Sequence, residues 1–204
     1  PNKRPRPHLD DKILADWNGL MIASFACGSR ILKDKRYLQA AIRAADFILK
    51  EMMDKQGKLL HRFRDGEAGI AATLEDYAFV VDGLLEIYRT TLEARFLSEA
   101  KRLTDDMMDS FSDSERGGFY LSSKDTADLP FRPKDIYDGA SPSGNSMAAW
   151  NLLRLTRITF EERYSQAAQR VFGAFAEDIR QAPMGYTQLL IALGFGLGPS
   201  KEIV

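Results

Sequence analysis

Apolar positions along this chain recur at helical spacing in paired segments, and the pairs themselves repeat about every 60 residues. One face carrying Trp17, Leu20, Met21, Ser24, Phe25 and Ile31 follows the 3.6-residue period and predicts a helix from Trp17 to about Leu32. The stripe Tyr37, Ala41, Ala44, Ala45, Ile48 and Met52 predicts its partner over about 35–53. Asp54-Lys55-Gln56-Gly57 signals a turn, and Leu59 to Phe63 reads as a short strand or an extended connection. The unit then restarts. A helix over about 74–91 carries Tyr77, Val80, Val81, Leu84, Leu85 and Tyr88, and its partner runs over about 94–111. A second turn, Asp113 to Gly118, leads into another extended piece, Phe119-Tyr120-Leu121. After a long loop over about 123–141 comes a third pair, about 143–158 and 161–180; Pro183 breaks it, and a last helix covers about 184–195.

Three aromatic anchors mark the repeat: Tyr37 in KDKRYLQAA, Phe96 in LEARFLSEA and Tyr164 in FEERYSQAA, 59 and 68 residues apart. A single helix pair cannot bury its own apolar face, so neighbouring pairs must stack. In each pair the first helix is the more apolar, whereas the second mixes its stripe with charge at Lys50, Glu51, Lys101, Asp105, Glu177 and Arg180. First helices therefore face inward and second helices form a solvated outer layer. The expected architecture is all-α: about three and a half helical hairpins with almost no sheet, forming one α/α toroid domain over 1–204 behind an extended lead-in at 1–12. A straight solenoid is the alternative.

Composition narrows the function classes. Apolar residues make up 45% and charged residues 28% of the chain, as in ordinary globular domains. A net charge of −1 offers no field to gather nucleic acid. No run approaches the roughly 18 apolar residues of a membrane span. The opening Pro1 to Pro7 is basic with no apolar core behind it, so it is expected to be a solvated tail rather than a signal peptide. It lacks an initiator Met, which reads as a processed chain or part of a longer one. Cys27 is the single cysteine and reads as a small core residue. The expected compartment is the cytoplasm, and no cofactor is expected. No metal constellation is expected either, because the acids lack His or Cys companions at ligand spacing along the chain.

Three long stretches carry a family resemblance: Arg4 to Leu20 (RPRPHLDDKILADWNGL), Leu74-Glu75-Asp76-Tyr77-Ala78, and Arg132 to Ser146 (RPKDIYDGASPSGNS). They resemble the proteins related to spermatogenesis-associated protein 20. That resemblance implies a six-hairpin, glycosidase-like α/α toroid, similar to the N-acylglucosamine and cellobiose 2-epimerases, which in the family follows a thioredoxin-like domain. This chain has no Cys-x-x-Cys and matches only the later part of the toroid, about half of the ring.

Ligands of such toroids sit over the funnel where inner helices begin, and polar clusters open all three inner segments: Asp16-Trp17-Asn18, Glu75-Asp76-Tyr77 and Ser143-Gly144-Asn145. Asp16, Glu75 and Asp76 are the candidate catalytic carboxylates, with Asp11 nearby. Two carboxylates across a pocket can divide the acid and base roles of glycoside cleavage. Trp17 and Tyr77 are candidate sugar platforms, and Asn18 and Asn145 candidate partners of ring hydroxyls. Arg132 and Lys134 in the long loop are candidates for holding an anionic sugar such as a uronate or sugar phosphate. An epimerase needs a base beside a carbonyl, commonly His; only His8 and His61 are available, and His61 lies in the connection before the second inner helix. Structural roles compete at every position. Acids at helix starts serve as caps and favour the helix dipole, Thr73 with Asp76 approaches a capping box, and Trp17 and Tyr77 suit a core. Two functions follow: a carbohydrate-active hydrolase, isomerase or epimerase of small saccharides, or a non-catalytic binding or scaffolding module for a thioredoxin-like domain or another protein. A partial ring exposes apolar helix faces at its ends, so a homo-oligomer, or packing against the rest of the toroid, is expected.

Overall fold

The computed structural model describes Arg4, residues 9–126 and residues 130–199. The opening basic residues other than Arg4, together with His8, lie outside the described residues. Three helical hairpins follow one another: α1 (Ala15–Leu32) with α2 (Lys35–Glu51), α3 (Leu74–Thr91) with α4 (Ala94–Phe111), and α5 (Gly144–Thr159) with α6 (Glu162–Ala174). A short α7 (Ala176–Gln181), a 3-10 turn (Pro183–Gly185) and α8 (Thr187–Leu197) complete the helices. Where the periodicity predicts one helix over 161–180, the chain breaks at Phe175, whose φ of −116° and ψ of 13° leave the helical region. Among the described residues no helix is long and apolar enough to cross a membrane.

The hairpins repeat one local design. Each inner helix ends on a left-handed residue: Lys33 (φ 55°), Leu92 (φ 58°) and Phe160 (φ 60°). An acid follows, then Arg and the aromatic anchor: Asp34-Lys35-Arg36-Tyr37, Glu93-Ala94-Arg95-Phe96 and Glu161-Glu162-Arg163-Tyr164. In each case the acid pairs with the Arg, at 2.7, 3.1 and 2.8 Å. In the second and third hairpins the guanidinium lies over the anchor ring, 3.9 Å from Phe96 and 4.4 Å from Tyr164. Both of those rings are fully buried, whereas Tyr37 at the end of the array is 36% exposed.

The central inner helix α3 is buried on nearly all sides, packed between α1 and α5. The α1–α3 contact is close because glycine faces backbone: a Cβ on Gly19 would stand 2.4 Å from the Phe79 carbonyl carbon, and one on Gly83 would stand 2.9 Å from Ile22. By contrast α1 buries only the stripe Ala15, Gly19, Ile22, Ala26 and Ser29, leaving Trp17, Met21 and Ile31 exposed. Cys27 is half-buried on α1, not a full core residue. At the other end α8 buries Leu189 and Ala192 and exposes Ile191 and Leu197.

More sheet is present than the pattern predicts. β1 (Ile13–Leu14), β2 (Leu60–Arg64) and β3 (Glu67–Ala71) form an antiparallel sheet in that order. The β2–β3 turn is Asp65-Gly66 with both φ angles positive (53° and 80°), the dipeptide that a tight hairpin turn requires. The second extended piece makes only an isolated bridge, Ser112 to Phe119.

Candidate functional site

The sheet sets His61 over the starts of α1 and α3. Its Nδ1 stands 2.9 and 3.0 Å from the two carboxylate oxygens of Asp76. Asp76 is fully buried in the first turn of α3 and accepts three further hydrogen bonds: from the Thr73 amide at 2.7 Å, the Thr73 hydroxyl at 3.0 Å and the Asp16 amide at 3.0 Å. One carboxylate thus satisfies free N–H groups at two helix starts and orients a histidine. With Nδ1 turned to an oxygen that can only accept, that nitrogen carries the ring proton and Nε2 is left as the basic nitrogen. The β2–β3 pairing places Ile70 across from His61, and Ile70 holds a φ of 66°, a strained conformation for a β-branched residue.

Asp16 and Glu75 complete the cluster. Asp16 is half-buried in the first turn of α1 and accepts from the Trp17 amide at 2.7 Å. It is not the cap expected of it, since the N-cap position is Leu14. Burial pushes the Asp16 carboxyl up, and the Asp76 charge adds to the effect. Burial likewise raises Glu75, reinforced by the charges of Asp16, Asp135 and Asp76. Gly144 at the start of α5 makes room for Glu75: a Cβ there would meet the Glu75 Cγ at 3.2 Å. Trp17 stands 70% exposed beside Asp16, and Asn18 donates to the Leu14 carbonyl at 2.8 Å. The starts of all three inner helices therefore converge, and they hold two half-buried acids with raised carboxyls beside a histidine bonded to Asp76.

Four candidates are otherwise engaged. Tyr77 is 3% exposed, packs edge-on against Phe111 and accepts from the Leu59 amide at 3.0 Å, so it offers no face to a sugar. Asn145 is fully buried and clasps the chain, accepting from the Phe119 amide and donating to the carbonyls of Phe119 and Asp135. Arg132 donates to the carbonyls of Ser110 and Ser122 and lies over the Tyr120 ring. Lys134 pairs with Asp113 at 2.7 Å and donates to the Gly117 carbonyl. The two cations pin the long loop rather than await an anion. Lys134, with hydrogen bonds from the Arg116 amide and the Tyr120 hydroxyl, holds the Asp113 carboxyl well below the usual carboxylate range. The loop's contribution to the site is instead Asp135, whose charge reaches Glu75. It lies in the same run as the two cations, but its spacing gives no sign that it faces the inner-helix starts.

The expectation of no metal constellation fails on its premise. Asp16, His61 and Asp76 bring ligand atoms within 4.8 Å of one another, because the sheet supplies the His that sequence spacing does not. The Asp76 oxygens already accept from N–H and O–H donors, which is the arrangement of a hydrogen-bonded pair rather than an open cation cage.

The backbone as a whole matches sugar-active toroids. Cellobiose 2-epimerase from Bacillus thermoamylovorans superposes with a TM-score of 0.68 at 19% identity, over 85% of this chain and 47% of that one. A D-mannose isomerase gives 0.65 at 15% identity over 87% and 44%. A family GH76 alpha-mannanase from Bacteroides thetaiotaomicron gives 0.64 at 16% identity over 82% and 46%. The fold is therefore part of a six-hairpin α/α toroid of the glycosidase and 2-epimerase type. In sequence the chain is related to spermatogenesis-associated protein 20: the Homo sapiens protein is 38% identical over 98% of this chain, and an uncharacterized Caenorhabditis elegans protein is 31% identical over 94%. The chain spans about a quarter of the length of these curated relatives, 27% in each case. No family model matches it.

Proposed function

We propose that this domain acts on a small neutral saccharide at the inner-helix starts, by acid–base chemistry shared between His61 and the acids Glu75 and Asp16. The observation that carries this reading is the buried Asp76 turned onto Nδ1 of His61, which leaves Nε2 free as a base. Nε2 takes a proton from the sugar carbon beside the carbonyl. The electron pair moves onto the carbonyl oxygen, which receives the proton of Glu75. Return of a proton to the opposite face of that carbon gives the epimer, and to the former carbonyl carbon the isomer, as an enediol hydroxyl gives its proton back to Glu75. The raised Glu75 carboxyl suits the donor role, and the exposed Trp17 ring suits stacking on a sugar face. Three acids around the site disfavour a uronate or sugar phosphate. The solved structures of this fold named above, an epimerase, an isomerase and a mannanase, support a saccharide as the ligand class.

The test is saturation-transfer NMR against gluco, manno, N-acetylhexosamine, uronate and β-linked disaccharide ligands, followed by turnover of any binder. Binding of a neutral sugar that Glu75→Gln weakens, with loss of turnover in His61→Gln, is the expected result. Silence across the panel would transfer the reading to the binding or scaffolding module.

A further inference from the structure

A cavity of about 440 Å³ opens at the opposite ends of the inner helices, between the last turns of α3, α5 and α8. From Asp76 to Tyr88 on its rim is roughly 18 Å along α3 at 1.5 Å per residue, so it is separate from the site above. We infer that this cavity binds a small amphipathic anion, with a flat apolar body seated against Trp150 and Phe195 and a carboxylate or phosphate group met by Arg89 and Arg157.

The walls supply the apolar half. Trp150 and Phe195 meet edge-to-face with centroids 5.1 Å apart, and Leu92, Ile158 and Phe195 remain 75%, 36% and 39% exposed. The floor supplies the charge. Arg154 crosses from α5 to α3, bonding Asp82 at 2.7 Å and Glu86 at 2.6 Å, and Arg30 of α1 also pairs with Glu86. Both carboxylates are thereby occupied. Arg89 stands 3.9 Å from Glu86 with its side chain 68% exposed, and Arg157 makes no hydrogen bond or ion pair with any described residue. Three arginines thus share two acids, and Arg157 stands beside them with no acid of its own among the described residues. Position in a last helical turn favours a cation through the helix dipole. It does not account for two such cations turning onto one concavity with aromatic walls. A cavity of this size, mostly apolar with a few convergent polar groups, has the character of a small-molecule site.

The probes are 2-naphthoate, 2-naphthyl phosphate and the neutral 2-naphthamide, titrated in Trp17→Phe, where Trp150 is the remaining tryptophan and reports occupancy by fluorescence. Each anion is expected to bind one per chain and at least ten-fold more tightly than the amide. The preferred anion distinguishes a carboxylate ligand from a phosphate one. Arg157→Met and Arg89→Met should each erase most of that preference while circular dichroism and melting stay unchanged. Equal binding of the amide, indifference to both substitutions, or no saturable change in Trp150 emission would each overturn the inference.

Discussion

Asp76 and His61 lie 15 residues apart in sequence and meet through both carboxylate oxygens, at 2.9 and 3.0 Å, at the seam between the sheet and the first turn of α3. Asp76 is fully buried and carries the amides of Thr73 and Asp16 as well. In the proposed chemistry it positions His61 and does not itself touch the sugar.

Asp76→Asn therefore does more than alter chemistry. An amide turns N–H groups toward donors, and buried hydrogen bonds to a charged group are worth about 1.5–3 kcal/mol each. The expected loss is about 2–4 kcal/mol in urea unfolding, together with any turnover. A melt within a degree or two of the parent chain would contradict the structural role.

Trp17 separates the two kinds of residue at the site. Its ring is 70% exposed, so Trp17→Ala should leave the melting temperature within about two degrees. If a saccharide stacks there, its affinity should fall about five- to ten-fold in the same variant, as read by NMR titration.

Asp82 gives the fold a pH dependence of known sign. Burial beneath α5 raises its carboxyl from 3.8 to about 6, against the lowering effect of Arg154. The folded state thus holds a proton that the unfolded chain releases near pH 4. Stability from this group is present below pH 4 and lost as pH rises through about 6, a term of roughly 3 kcal/mol at 1.36 kcal/mol per unit. Measured against the parent by urea unfolding, Asp82→Asn should gain by up to that amount between pH 4 and pH 7. A difference independent of pH would show that Asp82 ionises normally.

Two glycines of α1 make a matched pair. Gly19→Ala drives a methyl into the Phe79 backbone and should cost about 3 kcal/mol, because backbone in a packed core cannot move aside cheaply. Gly28→Ala meets nothing within 4 Å and should stabilise by about 0.5–1 kcal/mol through helix propensity. Thermal melts of the two variants in opposite directions are the expected result.

The ends of the array predict association. Trp17, Met21 and Ile31 on α1 and Ile191 and Leu197 on α8 leave apolar faces open. Light scattering at micromolar concentration should show a dimer or larger, and a monomer would mean that these faces tolerate water.

The helices were legible because burying one stripe demands a 3.6-residue spacing, and Tyr77 and Tyr164 each mark such a stripe, whereas on α1 the stripe read from Trp17 is largely exposed and the buried one is Ala15, Gly19, Ile22, Ala26 and Ser29. The acid, arginine and aromatic at each hairpin corner are likewise local, so Glu93, Arg95 and Phe96 announce their turn in four consecutive positions. The β2–β3 hairpin carried its signal in Asp65-Gly66, but the flanking strands do not alternate cleanly, and that turn alone does not say what the hairpin covers. The chain by itself determined the repeat, the inner and outer layers, and that Asp16, Glu75 and Asp76 stand at helix starts, since all of these depend on neighbours within a few turns. Only the tertiary structure decided which polar residue does which work. It turned Tyr77 and Asn145 inward to satisfy buried backbone and spent Arg132 and Lys134 on the loop. It also brought His61 from a strand onto Asp76, since a buried carboxylate must find donors wherever the packing places them.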